Sequence, residues 1–261
     1  IGTCLVGSEM CIRDRLKILN QMALPEKLSQ EEMDECWQQL NQLQVLSQVE
    51  IASLDFKGTT SPLDESITIR NRGDMTADIS GWHIQAGSPD QQYIFPEHTF
   101  LSPFEYIKID TSGKSEHSFG SNQPVWNNRG DLGTLVNHHG QTVSSFIYGD
   151  KAHPHAIISH VNYDGKEFRS EGDEYVEIHN TSEYTVDLSQ WRLEALLNDN
   201  CFVFPEDTQL APLTSLRVFT NKASLEDNEY SFNSPTALWN NDGGGCKLID
   251  YQDREVSSYN Y

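Results

Sequence analysis

The residues best equipped for chemistry in this 261-residue chain are acidic side chains crowded into one stretch. Asp164-Gly165 and Glu171-Gly172-Asp173-Glu174 bring four carboxylates, those of Asp164, Glu171, Asp173 and Glu174, into a single loop region. Oxygen-rich loops of this kind suit calcium, which extracellular modules often hold weakly. The plainer alternative is a solvated acidic loop, and no EF-hand spacing is present. Calcium is therefore the one metal worth weighing, and no other cofactor is expected.

Nucleophilic chemistry has less to stand on. An activated Ser, Cys or Asp needs a base and an orienting group beside it, and none here lies in a recognisable elbow. His153-Pro154-His155 could present two imidazoles, but a pair without a third ligand is a poor metal site. Of five cysteines, none forms a CxxC pair. A Cys201–Cys246 disulfide stays open on spacing. The alternation Cys201-Phe202-Val203-Phe204 argues against it by turning the thiol away from the aromatic side chains. The expectation is a protein that is not an enzyme, with no catalytic residues.

Charge narrows the partners. Eighteen basic residues against 39 acidic ones leave a net −21. A surface so negative repels phosphate backbones, so nucleic acid is excluded as an expected partner. No run of eighteen apolar residues exists, and no membrane span is expected.

The elements that position these groups come in two copies. Trp126-Asn127-Asn128 returns as Trp239-Asn240-Asn241 and Val143-Ser144-Ser145 as Val256-Ser257-Ser258, both at an offset of 113 residues. Upstream the offset is 109: Ile79-Ser80-Gly81-Trp82 matches Leu188-Ser189-Gln190-Trp191, and Phe95-Pro96-Glu97 matches Phe204-Pro205-Glu206. An echo this long is a duplicated domain. Within each copy the pattern is period two, broken by turn residues every 8–12 positions, which predicts a sandwich of seven or eight short strands. The histidines and cysteines do not repeat. Copy one offers Asp64-Glu65 in the loop corresponding to the acidic one, yet no acidic site is expected to be shared by both copies.

Ahead of the strands, residues 16–48 read as helical. Ser29 with Glu32 forms a capping box, and Met33, Trp37, Leu40, Leu43 and Leu46 make an apolar stripe. Residues 1–15 are a separate matter. Leu5 to Arg15, LVGSEMCIRDR, resembles the translation of a sequencing-library adapter and is set aside as an artefact. The expected organisation is thus an artefact over 1–15, a helical end of a lost upstream region over 16–48, one domain over 49–150 and a second over 155–261, cut short at its C-terminus.

Taken together, DISGW, IFPEHTFLSP and VWNNRGDLGTLVN in copy one, with DLSQW, VFPEDTQLAP and LWNNDGGGCKLID in copy two, resemble the lamin-tail domain. This is an immunoglobulin-like sandwich found in nuclear lamins and in bacterial secreted or surface proteins. The resemblance implies an all-β fold, two tandem immunoglobulin-like β-sandwiches after a short α-helical segment. The motif residues Trp82, Trp126, Asn127, Asn128, Gly130, Trp191, Trp239, Asn240, Asn241 and Gly243 are read as structural. The tryptophans close the core, and Asn and Gly supply left-handed turn backbone. A recognition surface is the sharper alternative. Functionally the resemblance implies a non-catalytic binding or structural module of a larger bacterial protein, extracellular or on the cell surface, facing a protein or a cell-envelope glycan. Two alternatives remain: accessory domains of a secreted nuclease, phosphatase or spore-coat-type kinase, and the tail of an intermediate-filament-like protein.

Overall fold

The computed structural model describes residues 48–167 and 171–261, together with Ser29, Glu31, Glu32, Glu35, Cys36 and Gln38. The residues 1–15 and the apolar stripe Met33 to Leu46 lie outside the described residues. At Ser29 the expected capping box is formed: the Ser29 N–H and Oγ donate to Glu32 Oε2 at 2.7 Å, and the Glu32 N–H donates back to Ser29 Oγ at 3.3 Å.

Copy one runs β1 (Val49–Asp55), β2 (Ser66–Asn71), β3 (Ala77–Asp78), β4 (His83–Ala86), β5 (Ser88–Ile94), β6 (Phe100–Leu101), β7 (Tyr106–Asp110), β8 (Leu132–Val136) and β9 (Thr142–Ile147). Copy two runs β10 (Ala156–Asn162), β11 (Tyr175–Asn180), β12 (Thr185–Asp187), β13 (Arg192–Ala195), β14 (Cys201–Val203), β15 (Gln209–Leu210), β16 (Ser215–Phe219), β17 (Glu229–Ser231), β18 (Gly245–Ile249) and β19 (Glu255–Asn260). From residue 48 on the described residues are all-β apart from two short 3-10 turns, as the alternation predicts, whereas the described residues Glu31, Glu32, Glu35, Cys36 and Gln38 are helical. Short two-residue strands and β17 raise the strand number above the seven or eight expected per copy.

Two compact units result. Unit 1 extends to Asn128 and resumes over Leu132–Ser145; unit 2 holds Arg129–Asp131 and Phe146–Tyr261. In unit 1 the sheet β1-β2-β7 is antiparallel, and β5-β4-β8 belong to the opposing layer. In unit 2 the layers are β10-β11-β16-β17 and β14-β13-β18-β19. Alternation sends Ile67, Ile69, Ile84 and Leu135 inward in one core, and Val176, Ile178, Leu193 and Leu248 inward in the other. Trp82 and Trp191, the largest fully buried side chains, fill the two cores.

The layers of each sandwich are also joined by a serine. The first strand of each copy carries a register shift, between Ile51 and Ser53 in β1 and between Ile158 and His160 in β10. Beside it the Ile51 N–H donates to Ser144 Oγ on β9 at 3.1 Å, and the Ile158 N–H donates to Ser257 Oγ on β19 at 3.0 Å. The Val-Ser-Ser repeat is thereby explained: its middle serine satisfies an amide at a bulge, where the ladder is interrupted.

Candidate functional site

One asparagine per copy organises two adjacent turns. Asn71, at the end of β2, is buried and donates its amide to the carbonyls of Met75 (2.7 Å) and Leu101 (3.0 Å) while accepting from the Gly73 N–H (2.9 Å). Asn180 repeats this with Tyr184 (2.7 Å), Leu210 (3.0 Å) and Ala211 (3.0 Å), and its Oδ1 accepts from the Ser182 N–H at 2.9 Å. An Asn at a strand end suits a turn, since its side chain can bond nearby backbone. Its larger role is to fasten a second turn, 102–105 or 211–214, to the first.

That second turn carries an unusual residue. In Ser102-Pro103-Phe104-Glu105 the Glu105 N–H donates to the Ser102 carbonyl at 3.1 Å, and in Ala211-Pro212-Leu213-Thr214 the Thr214 N–H donates to the Ala211 carbonyl at 3.3 Å. Proline sits at the position it prefers, and the next residue takes positive φ: 60° at Phe104 and 56° at Leu213. Glycine or asparagine normally fills that place, because a Cβ is strained there. Here it holds a large apolar side chain in both copies, and both point to solvent, Phe104 67% and Leu213 59% exposed. The neighbouring turn adds Met75 and Tyr184, at equivalent positions and also exposed. Burial therefore accounts for neither pair, and an outlier of this kind is a reason to suspect function.

The acidic candidates are placed differently from one another. Asp173 spends both oxygens bracing its own loop, accepting the N–H groups of Lys166 (2.9 Å) and Glu167 (3.0 Å), and these bonds hold its carboxyl below the usual range against the upward pull of burial. Glu171 takes φ of 45° in the same loop. Glu174 is fully buried. Its Oε2 accepts from Thr220 Oγ1 at 3.0 Å and from the Leu238 N–H at 3.1 Å. Among the described residues no group of three or more His, Cys, Asp or Glu side chains, Asp164 included, is placed to hold a metal ion.

Glu174 also corrects the expectation that no acidic position is shared. Glu65 is its counterpart in copy one, equally buried, with Oε2 accepting from the N–H groups of Val125 (2.9 Å) and Trp126 (3.3 Å) and from Thr111 Oγ1 (3.4 Å). Burial pushes both carboxyls up, Glu174 to about 7.

Each buried glutamate thus holds the loop that bears the Trp-Asn-Asn-x-Gly motif. Trp126 and Trp239 are buried, whereas Asn127, Asn128, Asn240 and Asn241 are exposed. The four asparagines do not take left-handed backbone, contrary to expectation. Only the glycines do, with φ of 143° at Gly130 and 128° at Gly243. Asn240 works through its side chain instead, accepting the Asp242 N–H at 2.9 Å as an Asx turn. Gly130 is needed for a second reason, since a Cβ there would lie 2.4 Å from the Asp150 nitrogen.

The profile of the Lamin Tail Domain matches residues 44–150 and again 150–261. The chain belongs to the lamin tail domain family, in two tandem copies. No curated protein matches it in sequence. Among solved structures it is similar to a YadV chaperone at 12% identity, over 75% of this chain and 90% of that one, with a TM-score of 0.21. That likeness is too slight to carry an argument.

In the second lamin tail domain Cys201 and Cys246 are free thiols. They lie on the strands either side of β13, Cys201 opposite Glu194 and Cys246 opposite Ala195, so one is exposed and the other buried. Two strands of separation exceed disulfide reach. His153 is bound to Asp250, Nε2 to Oδ2 at 2.8 Å, and Asp250 also takes the Arg254 guanidinium at 2.6 Å. His155 instead approaches the Tyr184 ring, so the His-Pro-His pair does not converge. Among the described residues no helix is long and apolar enough to cross a membrane.

Proposed function

We propose that these tandem lamin tail domains act as a non-catalytic binding module of a larger secreted or cell-surface bacterial protein. The observation that supports this most is the pair Phe104 and Leu213. Both sandwiches keep a large apolar side chain exposed on a turn with positive φ. A glycine would relieve that strain, so what the side chain offers must lie outside the fold. Met75 and Tyr184 widen the same surface, and loops at the end of a rigid sandwich are the usual place for recognition. The partner we envisage is a protein or a cell-envelope glycan, for which exposed aromatic and aliphatic faces are suited. The net charge of −21 disfavours nucleic acid.

The reading is tested by cosedimenting the chain with insoluble bacterial cell-wall material and with immobilised glycans. Micromolar binding that weakens when Phe104 and Leu213 are both changed to glycine supports it. Absence of binding, or binding indifferent to the two substitutions, removes the surface from consideration.

A further inference from the structure

The stretch that joins the two lamin tail domains is wound, and it is fastened by charges that copy one does not carry at the equivalent hairpin. Gly149–Lys151 forms a 3-10 turn. Ala152 and His153 both donate their N–H to the Gly149 carbonyl, at 2.8 and 3.2 Å, and His155 and Ala156 donate theirs to the Ala152 carbonyl, at 3.0 and 3.2 Å. Ala152 and Ala156 are buried, and the whole of this strap belongs to unit 2.

Charged side chains hold the strap to the hairpin between β18 and β19. Asp250 is fully buried, and its Oδ2 takes His153 Nε2 at 2.8 Å together with Arg254 Nε at 2.9 Å and Nη2 at 2.6 Å. The remaining guanidinium nitrogen, Nη1, bonds Asp150, whose carboxylate also meets Arg129 at 3.2 Å. Arg254 thus bridges one carboxylate of the hairpin and one of the strap. The His153 ring stands edge-on to Trp191, with centroids 5.7 Å apart. Burial pulls the Asp250 carboxyl up, yet the bonds from Arg254, Gln252 and His153 hold it below its ordinary value, so Asp250 is ionised at neutral pH.

The repeat shows that the hairpin itself does not need those charges. In copy one Asn137 stands where Asp250 does, and Gln141 where Arg254 does, at the 113-residue offset. Asn137 Oδ1 accepts the N–H groups of His139 (3.0 Å) and Gln141 (2.9 Å), as Asp250 Oδ1 accepts those of Gln252 (2.8 Å) and Arg254 (2.9 Å). The neutral pair closes on itself, Asn137 Nδ2 donating to Gln141 Oε1 at 3.0 Å. What the charged pair adds is the grip on Asp150 and His153. We propose that this grip is a clasp: closed, it makes the linker a fixed part of the second domain, and open, it frees residues 149–156 as a tether while the sandwich stays folded. Fully extended, that stretch spans up to about 27 Å. Linker reach sets how two linked sites engage one partner, so the clasp governs joint use of the two apolar turns. That consequence rests on the binding reading above; the clasp itself does not.

Amide hydrogen exchange, read by NMR on the whole chain, tests it. In wild type the N–H groups of Ala152, His153, His155 and Ala156 should exchange at least about a hundredfold more slowly than in an unstructured chain. Asp250→Asn combined with Arg254→Gln installs the pair that copy one uses. It should speed these four amides by about tenfold or more, while those of β18 and β19 keep their protection. Asp150→Ala cuts only the strap's side of the clasp, leaves Asp250 and Arg254 in place, and should give a smaller rise in the same amides. Melting curves show whether each variant is folded, and Asp150→Ala decides the matter if the double variant is not. Wild-type strap amides exchanging at the unstructured rate would overturn the proposal. So would unchanged protection in the folded variants, or a rise shared equally by β18 and β19, which marks unfolding of the domain and not opening of a clasp.

Discussion

The carboxylate of Glu174 lies against the backbone of Leu238, accepting its N–H at 3.1 Å, and so ties the start of β11 to the loop before Trp239. Glu65 and Val125 do the same at 2.9 Å in the other copy. Each glutamate also bonds the threonine that follows the β7 or β16 strand, Thr111 or Thr220. Three segments distant in sequence thus meet on one buried oxygen, and this joint is where each sandwich closes.

Such a joint has a pH signature. Burial is the main cause of the raised Glu174 pKa, with Glu171 adding to it and the Leu238 N–H and Thr220 hydroxyl opposing it. A folded value of about 7 lies above the ordinary 4.5, so the protonated acid is the form that the folded state favours. Its contribution to stability is full below about pH 4.5 and is lost as pH rises through about 7. Melting temperatures of wild type and Glu174→Gln should therefore diverge between pH 5 and pH 8, with the variant declining less. Parallel profiles would show that Glu174 does not titrate in this window.

The asparagine joint should respond differently. Asn180→Ala removes an amide that donates to Tyr184, Leu210 and Ala211, and leaves buried carbonyls without it. A loss of about 2–4 kcal/mol is expected. Asn71→Ala, which also loses its bonds to Met75 and Leu101, should cost a comparable amount. Urea titration checks both, and a change below about 1 kcal/mol would contradict the role assigned to them.

The serine links are smaller. Ser144→Ala and Ser257→Ala each delete one acceptor for a bulge amide, and each should cost about 1 kcal/mol, the worth of a single hydrogen bond with partial rescue by water. Because the serines belong to different copies, the double variant should lose the sum of the two, which equilibrium unfolding measures.

Much of the fold is legible in the sequence, because a repeat displays core and turn positions twice. The tryptophans fill or close the cores, and the Val-Ser-Ser segments join the layers. Glu65 and Glu174 were equally visible, at the same 109-residue offset as the Ser-Gly-Trp step. They were hidden by composition: among 39 acidic residues nothing distinguishes a buried carboxylate from a solvated one until its partners are known. Phe104 and Leu213 are illegible for another reason. A large apolar residue after proline reads as core, and positive φ is expected of Gly or Asn, so neither type nor spacing revealed an exposed, left-handed phenylalanine.

Gln190 provides an internal control for that strain. It takes φ of 62°, where copy one has Gly81 at 69°. Gln190→Gly should stabilise the protein by up to about 1 kcal/mol, with less gained if the freer unfolded chain offsets the relief. Thermal melting decides it, and a marked loss would mean that the glutamine side chain makes a contact worth more than its strain.

Applied at Phe104 and Leu213, the same substitution separates function from folding. The decisive measurement is cosedimentation of wild type and of the Phe104→Gly/Leu213→Gly variant with insoluble bacterial cell-wall material, alongside their melting curves. A binding surface predicts that affinity falls by about tenfold or more while the melting temperature holds or rises. Equal binding by the two proteins, or a variant that loses binding only because it no longer folds, would contradict it.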